Sequence, residues 1–157
     1  MRIRCGIWRH PNGKPAQIKV KAFFSSFNAN LGDFIYFLID TGAVSSLIGE
    51  ADAKRLGINY STLTLLPKDQ WATGVGGVSP VYRIKEKCTI TFKTDMLNDP
   101  KRAYHVESFD HFDVLKIDIQ DEETRKLVIA NLPSLLGMDL LANFRLIVTS
   151  KEAFLEL

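Results

Sequence analysis

The chain has 157 residues, 46% hydrophobic and 24% charged, the balance of a single soluble globular domain that can bury a sizeable core. Formal net charge is +2, and Lys and Arg are spread without the basic run that tracks phosphates, so nucleic-acid binding is not expected. No stretch approaches the ~20 apolar residues of a membrane helix, and the opening MRIRCGIWRHPNGK lacks the apolar segment of a signal peptide, so a cytoplasmic protein without membrane contact is expected.

Residues 2–8 alternate loosely and predict a strand. His10-Pro11-Asn12-Gly13-Lys14 reads as a turn, because Asn-Gly readily takes positive φ. Residues 17–24, QIKVKAFF, alternate polar and apolar and predict a half-buried strand. A polar loop is expected over 25–32. Residues 33–39, DFIYFLI, are almost wholly apolar, which suits a strand buried on both faces. Residues 49–56, GEADAKRL, predict a short helix, with Glu50 and Asp52 in its first turn, Lys54 and Arg55 in its last, and Gly57 as its C-terminal cap.

Gly74-Val75-Gly76-Gly77 predicts a mobile hairpin tip between two strands. Residues 82–92 read as one long antiparallel strand, 95–102 as a polar loop, and 104–119 as one or two strands interrupted near Asp110-His111. Residues 121–126 predict a charged turn or short helical piece, and 127–130 a short buried strand. Asp139 is placed to cap a short helix over 140–143. Residues 144–148 and 153–157 predict a terminal hairpin. Strands dominate and one or two short helices accompany them, so the expected class is all-β, in one domain over 1–157.

Little points to other chemistry. Cys5 and Cys88 have neither CxxC nor metal spacing and are expected as reduced, partly buried thiols rather than a disulfide. His10, His105 and His111 are not spaced as zinc ligands. No GxSxG elbow is present, and no Gly-Lys-Ser/Thr follows the glycine cluster as a phosphate loop would require. No metal or cofactor is expected. Trp8 reads as a packing residue, and Trp71, at the base of the glycine-rich hairpin, as a candidate for function.

The informative stretch is FLIDTGAVSSLI. It puts one carboxylate, Asp40, at the end of an apolar run, where an unpaired charge is costly. Gly42 permits a sharp turn and close approach, and Thr41 offers a hydroxyl to a neighbouring strand or chain. An isolated Asp-Thr-Gly is also what a turn-capping aspartate looks like. Here it is accompanied. Asp40-Thr41-Gly42-Ala43 precedes the apolar pair Leu47-Ile48. A glycine-rich hairpin, residues 71–78, follows about thirty residues later. Leu135-Leu136-Gly137-Met138-Asp139-Leu140-Leu141 lies near the end. In these three features, which together span residues 17–157, the chain resembles the retropepsin-like aspartic proteases, the family of the retroviral proteases.

That resemblance implies a mostly antiparallel, barrel-like all-β fold with a flap hairpin, preceded by an N-terminal extension over 1–15. It implies an aspartic endopeptidase acting as a homodimer on a peptide or protein substrate, with Asp40 as the catalytic residue of each chain. The two carboxylates would share one proton, since like charges so close cannot both ionise cheaply. One activates a water and the other polarises the scissile carbonyl, so activity is expected to rise and fall with pH. Thr41 would hold the two loops together, and Gly42 would accept a hydrogen bond from substrate backbone. Ala43, Val44, Ile48, Trp71, Gly74, Val75, Gly76, Gly77 and Leu136 would contact substrate. The single Asp-Thr-Gly agrees with a dimer, because the chain leaves no room for a second lobe.

Two positions depart from the retroviral pattern. Val44 stands where an acidic residue is usual, and Met138 where an Arg is usual, so the expected interface is packed rather than ionic. The region 95–121 is also longer. A rival reading keeps the fold and drops the chemistry, giving a non-catalytic dimeric β module that binds extended segments of a partner.

Overall fold

The computed structural model describes residues 1–9, 11–12, 16–74 and 77–157. The expected 10–14 turn lies partly outside them. Val75 and Gly76, the expected flap tip, lie wholly outside them.

The strands in chain order are β1 (Arg2–Trp8), β2 (Gln17–Ser26), β3 (Leu31–Ile39), β4 (Leu47–Ile48), β5 (Thr64–Leu65), β6 (Ala72–Gly74), β7 (Gly77–Ser79), β8 (Val81–Ile84), β9 (Cys88–Lys93), β10 (Tyr104–Phe109), β11 (Phe112–Leu115), β12 (Leu135–Leu136), β13 (Arg145–Val148) and β14 (Ala153–Glu156). The helices are α1 (Glu50–Arg55), α2 (Glu122–Asn131) and α3 (Met138–Leu141). Among the described residues, twelve strands form one sheet ordered β13-β14-β1-β2-β3-β12-β4-β11-β8-β5, with β9 joining β2 to β10, and β6 and β7 form a separate hairpin. Pairing is antiparallel except at β12–β3 and β11–β4. The sheet curls around a core that includes Phe24, Phe37, Phe92, Phe112, Ile3 and Ile35.

The topology that matters for the site is the insertion of β12 between β3 and β4. β12 runs parallel to β3, with Leu135 opposite Leu38, and antiparallel to β4, with Leu135 opposite Leu47. Residues 40–46 therefore arch over the end of a strand that comes from ninety residues later in the chain.

Five expectations are corrected. β2 continues through Ser26, paired to Leu31, so the loop expected over 25–32 shrinks to 27–30. β3 is not buried on both faces: Phe34 and Tyr36 are each 50% exposed. They stand opposite Phe23 and Lys21, and the Lys21 ammonium lies 4.6 Å from the Phe34 ring centre. The long strand expected over 82–92 is two strands broken at 85–87. β8 pairs with β11 and β5, whereas β9 pairs with β2 and β10.

The fourth correction is α2, which replaces the strand expected over 127–130. Asp121 caps it, accepting the Thr124 hydroxyl at 2.5 Å and the Thr124 N–H at 2.8 Å, and those hydrogen bonds hold the Asp121 carboxyl below its ordinary range. Leu127 is exposed, while Val128, Ile129 and Leu132 pack on a small second core of Leu66, Val81, Leu115 and Ile117. Glu50 of α1 ties α2 in place, bonding the Arg125 guanidinium and the Ile117 N–H. The fifth correction concerns Asp139. α3 starts at Met138 with Gly137 as its N-cap, and no side chain caps it.

Cys5 and Cys88 are free and buried, and burial pushes both thiols up to about 11. Each folded value lies above the unfolded one, so this contribution to stability is complete below about pH 9 and is lost as pH rises toward 11. Both thiols are expected to resist alkylation at about pH 8 until denaturant is added, as read by mass spectrometry. Fast labelling of the native chain would mean that the β1 and β9 core opens readily. Among the described residues, no helix is long and apolar enough to cross a membrane.

Candidate active site

Asp40 follows the last residue of β3, and its N–H donates to the Leu136 carbonyl of β12 at 3.1 Å. The chain then turns. The Ala43 N–H donates to the Asp40 carbonyl at 3.2 Å, and the Gly42 N–H donates to Asp40 Oδ1 at 2.9 Å. A Cβ at Gly42 would lie 3.2 Å from that oxygen, so glycine lets the amide approach the carboxylate unobstructed. Asp40 is half-buried, and Thr41 and Gly42 are exposed.

The rest of the loop is held from β12 and α3. Met138 N–H donates to the Ala43 carbonyl at 2.8 Å, and Asp139 N–H to the Val44 carbonyl at 3.0 Å. The Asp139 carboxylate, instead of capping its own helix, accepts the Ser46 N–H at 2.9 Å and the Ser46 hydroxyl at 2.6 Å. The Ser46 hydroxyl oxygen in turn accepts the Gly137 N–H at 3.0 Å. Gly137 sits in contact with backbone: a Cβ there would fall 2.6 Å from the Ser45 carbonyl carbon and 2.9 Å from the Ala43 oxygen. This packing fixes the direction in which Asp40 leaves β3.

Beside the loop lies a cleft of ≈ 410 Å³. Asp40, Gly42, Ala43, Val44 and Trp71 line it. Gly74 and Gly77, paired to each other at the end of the β6–β7 hairpin, line a smaller cavity of ≈ 100 Å³. The two cavities share Leu47, Ala72, Thr73 and Leu135. Trp71 is anchored at the hairpin base, donating its indole N–H to the Leu66 carbonyl at 2.8 Å.

Ile48 and Leu136 are fully buried, and their neighbours Leu47 and Leu135 face the cleft instead, as the alternation of strand side chains requires. Thr41 is exposed and does not line the cleft.

The cleft also contains Gln70, Thr73 and Asp113, which carry no recognisable signal in the sequence. Asp113 of β11 accepts two hydrogen bonds from Arg83 of β8, at 2.8 and 3.1 Å, and this pairing holds the Arg83 guanidinium above its ordinary range. No sequence spacing connects positions 83 and 113; the β8–β11 register does. Among the described residues, no group of His, Cys, Asp or Glu is placed to hold a metal ion.

One carboxylate at a cleft mouth, with a backbone N–H fixing one oxygen, can exchange a proton with a bound water or carbonyl. Alone it cannot serve as acid and base at the same moment.

A model of the aspartyl protease family matches residues 27–140. The fold is similar to the crystal structure of a retropepsin-like aspartic protease from Rickettsia conorii, with a TM-score of 0.52 and 20% identity over 99% of this chain and 98% of that one. No curated protein matches the chain. The all-β architecture is thus the retropepsin-like fold.

Proposed function

The chain belongs to the aspartyl protease family, and on that premise we propose that it is an aspartic endopeptidase, active as a homodimer, with Asp40 of each copy forming the catalytic pair. The observation that carries this reading is the Asp40 carboxylate, fixed by the Gly42 N–H at the mouth of a cleft flanked by the β6–β7 hairpin. A second copy related by a two-fold axis would bring in the missing carboxylate. One Asp40 takes a proton from a water between them, and the other donates to the scissile carbonyl. The gem-diol intermediate then collapses to two peptides.

The exposed surface around Asp40 supports the pairing. Thr41 and Gly42 are open, Val44 is 80% exposed and Met138 42% exposed. Apolar side chains so placed are suited to burial against a partner. They make a packed contact where the retroviral pattern has charges. Substrate would lie extended between the loop and the hairpin, with Ala43, Val44, Trp71, Gly74 and Gly77 against it and the whole chain acting as one domain.

The test is cleavage of a mixed peptide library from acidic to neutral pH, at several protein concentrations. Specific activity is expected to fall on dilution as dimer dissociates. Full activity from a species that sediments as a monomer would overturn the shared site.

A further inference from the structure

A second cavity, of ≈ 1110 Å³ against ≈ 410 Å³ for the Asp40 cleft, shares no residue with that cleft. It opens on the outer face of β1, β2, β3 and β9. Arg4, Lys21 and Lys93 reach it from three different strands, and Phe23, Phe34 and Tyr104 supply apolar walls. The registers explain the convergence. β2 pairs with β1 through Lys19 opposite Gly6 and with β9 through Ala22 opposite Phe92, so Lys21 stands where the partner changes. Among the described residues, none of the three cations forms an ion pair. Two acids, Asp95 and Glu152, also line the cavity. Asp95 accepts the Arg2 backbone N–H at 2.9 Å.

The aromatic surface continues beyond the cavity. Tyr36 packs edge-on to Trp8 with ring centres 5.9 Å apart, and Phe34 edge-on to Phe23 at 5.2 Å. Lys19 sits over the Trp8 ring, and Lys21 over both Phe34 and Tyr36. From Lys19 to Phe23 this strip runs ~14 Å along β2. That is longer than a compact ligand needs and matches four or five extended residues. An open strip of aromatics is unusual for a surface that stays in water. Ammonium groups already cover ring faces that bases would stack on. What remains available is positive charge and ring edges.

We propose that this face is an exosite for an acidic and apolar polypeptide segment, carboxylates meeting Arg4, Lys21 and Lys93 and apolar side chains lying on Phe34 and Tyr36. That the segment belongs to a protein substrate rests on the protease reading; the binding itself does not. The first test uses the full chain carrying Asp40→Asn, so that nothing is cleaved. Amide chemical shifts are followed while the peptide Glu-Glu-Phe-Leu-Glu-Phe is added, with Lys-Lys-Phe-Leu-Lys-Phe and a thymidine hexanucleotide as comparisons. Saturable shifts centred on Lys21, Phe23, Phe34 and Lys93 are expected with the acidic peptide. Affinity is expected to drop at least ten-fold in Lys21→Glu/Lys93→Glu and in Phe34→Ser, whose dispersed spectra report an intact fold. The proposal is overturned by absence of saturation, by shifts centred on Trp71 and Thr73, by unchanged affinity in folded variants, or by tighter binding of the lysine peptide or the oligonucleotide. The second test uses the native chain. Appending the acidic segment to a cleaved peptide should lower KM and leave kcat unchanged, and Lys21→Glu/Lys93→Glu should abolish that advantage while cleaving the unextended peptide normally. Binding without any cleavage would remove the protease reading and leave the site standing.

Discussion

Asp40→Asn is expected to lower peptide cleavage by roughly 10²–10⁴-fold, the range for loss of a positioned acid–base group, with little effect on folding. The amide keeps the shape of the carboxylate and an oxygen to accept the Gly42 N–H, now at 2.9 Å. It cannot give or take the proton that hydrolysis requires. In a symmetric pair one substitution removes both carboxylates, so no single-Asp site remains to cleave slowly. The measurement is the rate of library cleavage from acidic to neutral pH, beside circular dichroism of both chains. The rival, a dimeric β module that only binds extended segments, predicts the opposite. It would cleave nothing in either form, and binding would survive the exchange. Equal cleavage by both chains would remove Asp40 from the chemistry altogether.

Gly137→Ala is expected to cost about 3 kcal/mol of stability, the upper part of the range for overpacking, and to abolish activity at temperatures where the chain still folds. The reason is what the new methyl would meet. At 2.6 Å from the Ser45 carbonyl carbon and 2.7 Å from its oxygen, the obstacle is backbone, which no rotamer change can move aside. The φ of Gly137 is −95°, so strain plays no part and the effect is steric. Relief requires moving β12 away from residues 43–46. That would break the Gly137 N–H to Ser46 bond and loosen the Asp40 N–H to Leu136 bond. Urea unfolding should show a lower midpoint at unchanged slope. Gly74→Ala is the control, since a Cβ there meets nothing within 4 Å, and its midpoint should not move. An unchanged midpoint in Gly137→Ala would show that the crossing of the two loops yields easily.

Much of the fold was legible because local patterns and tertiary needs agreed. The alternation in β2, the charge order and Gly57 of α1, and the paired apolar runs of β13 and β14 each point to the element that forms. Gly57 takes a φ of +75°, the left-handed cap its position promised. The misreadings have separate causes. The run at 127–130 is apolar enough for a strand, but the Asp121 cap and the spacing of Val128, Ile129 and Leu132 favour a helix that covers the second core. Residues 82–92 keep one alternation, yet 85–87 break it because β8 and β9 pair with different neighbours.

The candidate site divides the same way. Asp40 and Gly42 stand out as candidates because Asp-Thr-Gly sets a carboxylate and a close amide within three residues, and the hairpin because three of the four residues 74–77 are glycine. Leu47 and Leu135 replaced Ile48 and Leu136 in the cleft because the pleat, not the composition, decides which side a strand residue faces. Asp139 gives its carboxylate to Ser46, 93 positions away, and Arg83 finds Asp113 across a strand pair. Local spacing therefore determined which residue carries the charge. Only the tertiary structure decided what holds it, because hydrogen bonds and steric contacts depend on distance in space, and inserting β12 between β3 and β4 sets those distances for residues far apart in the chain.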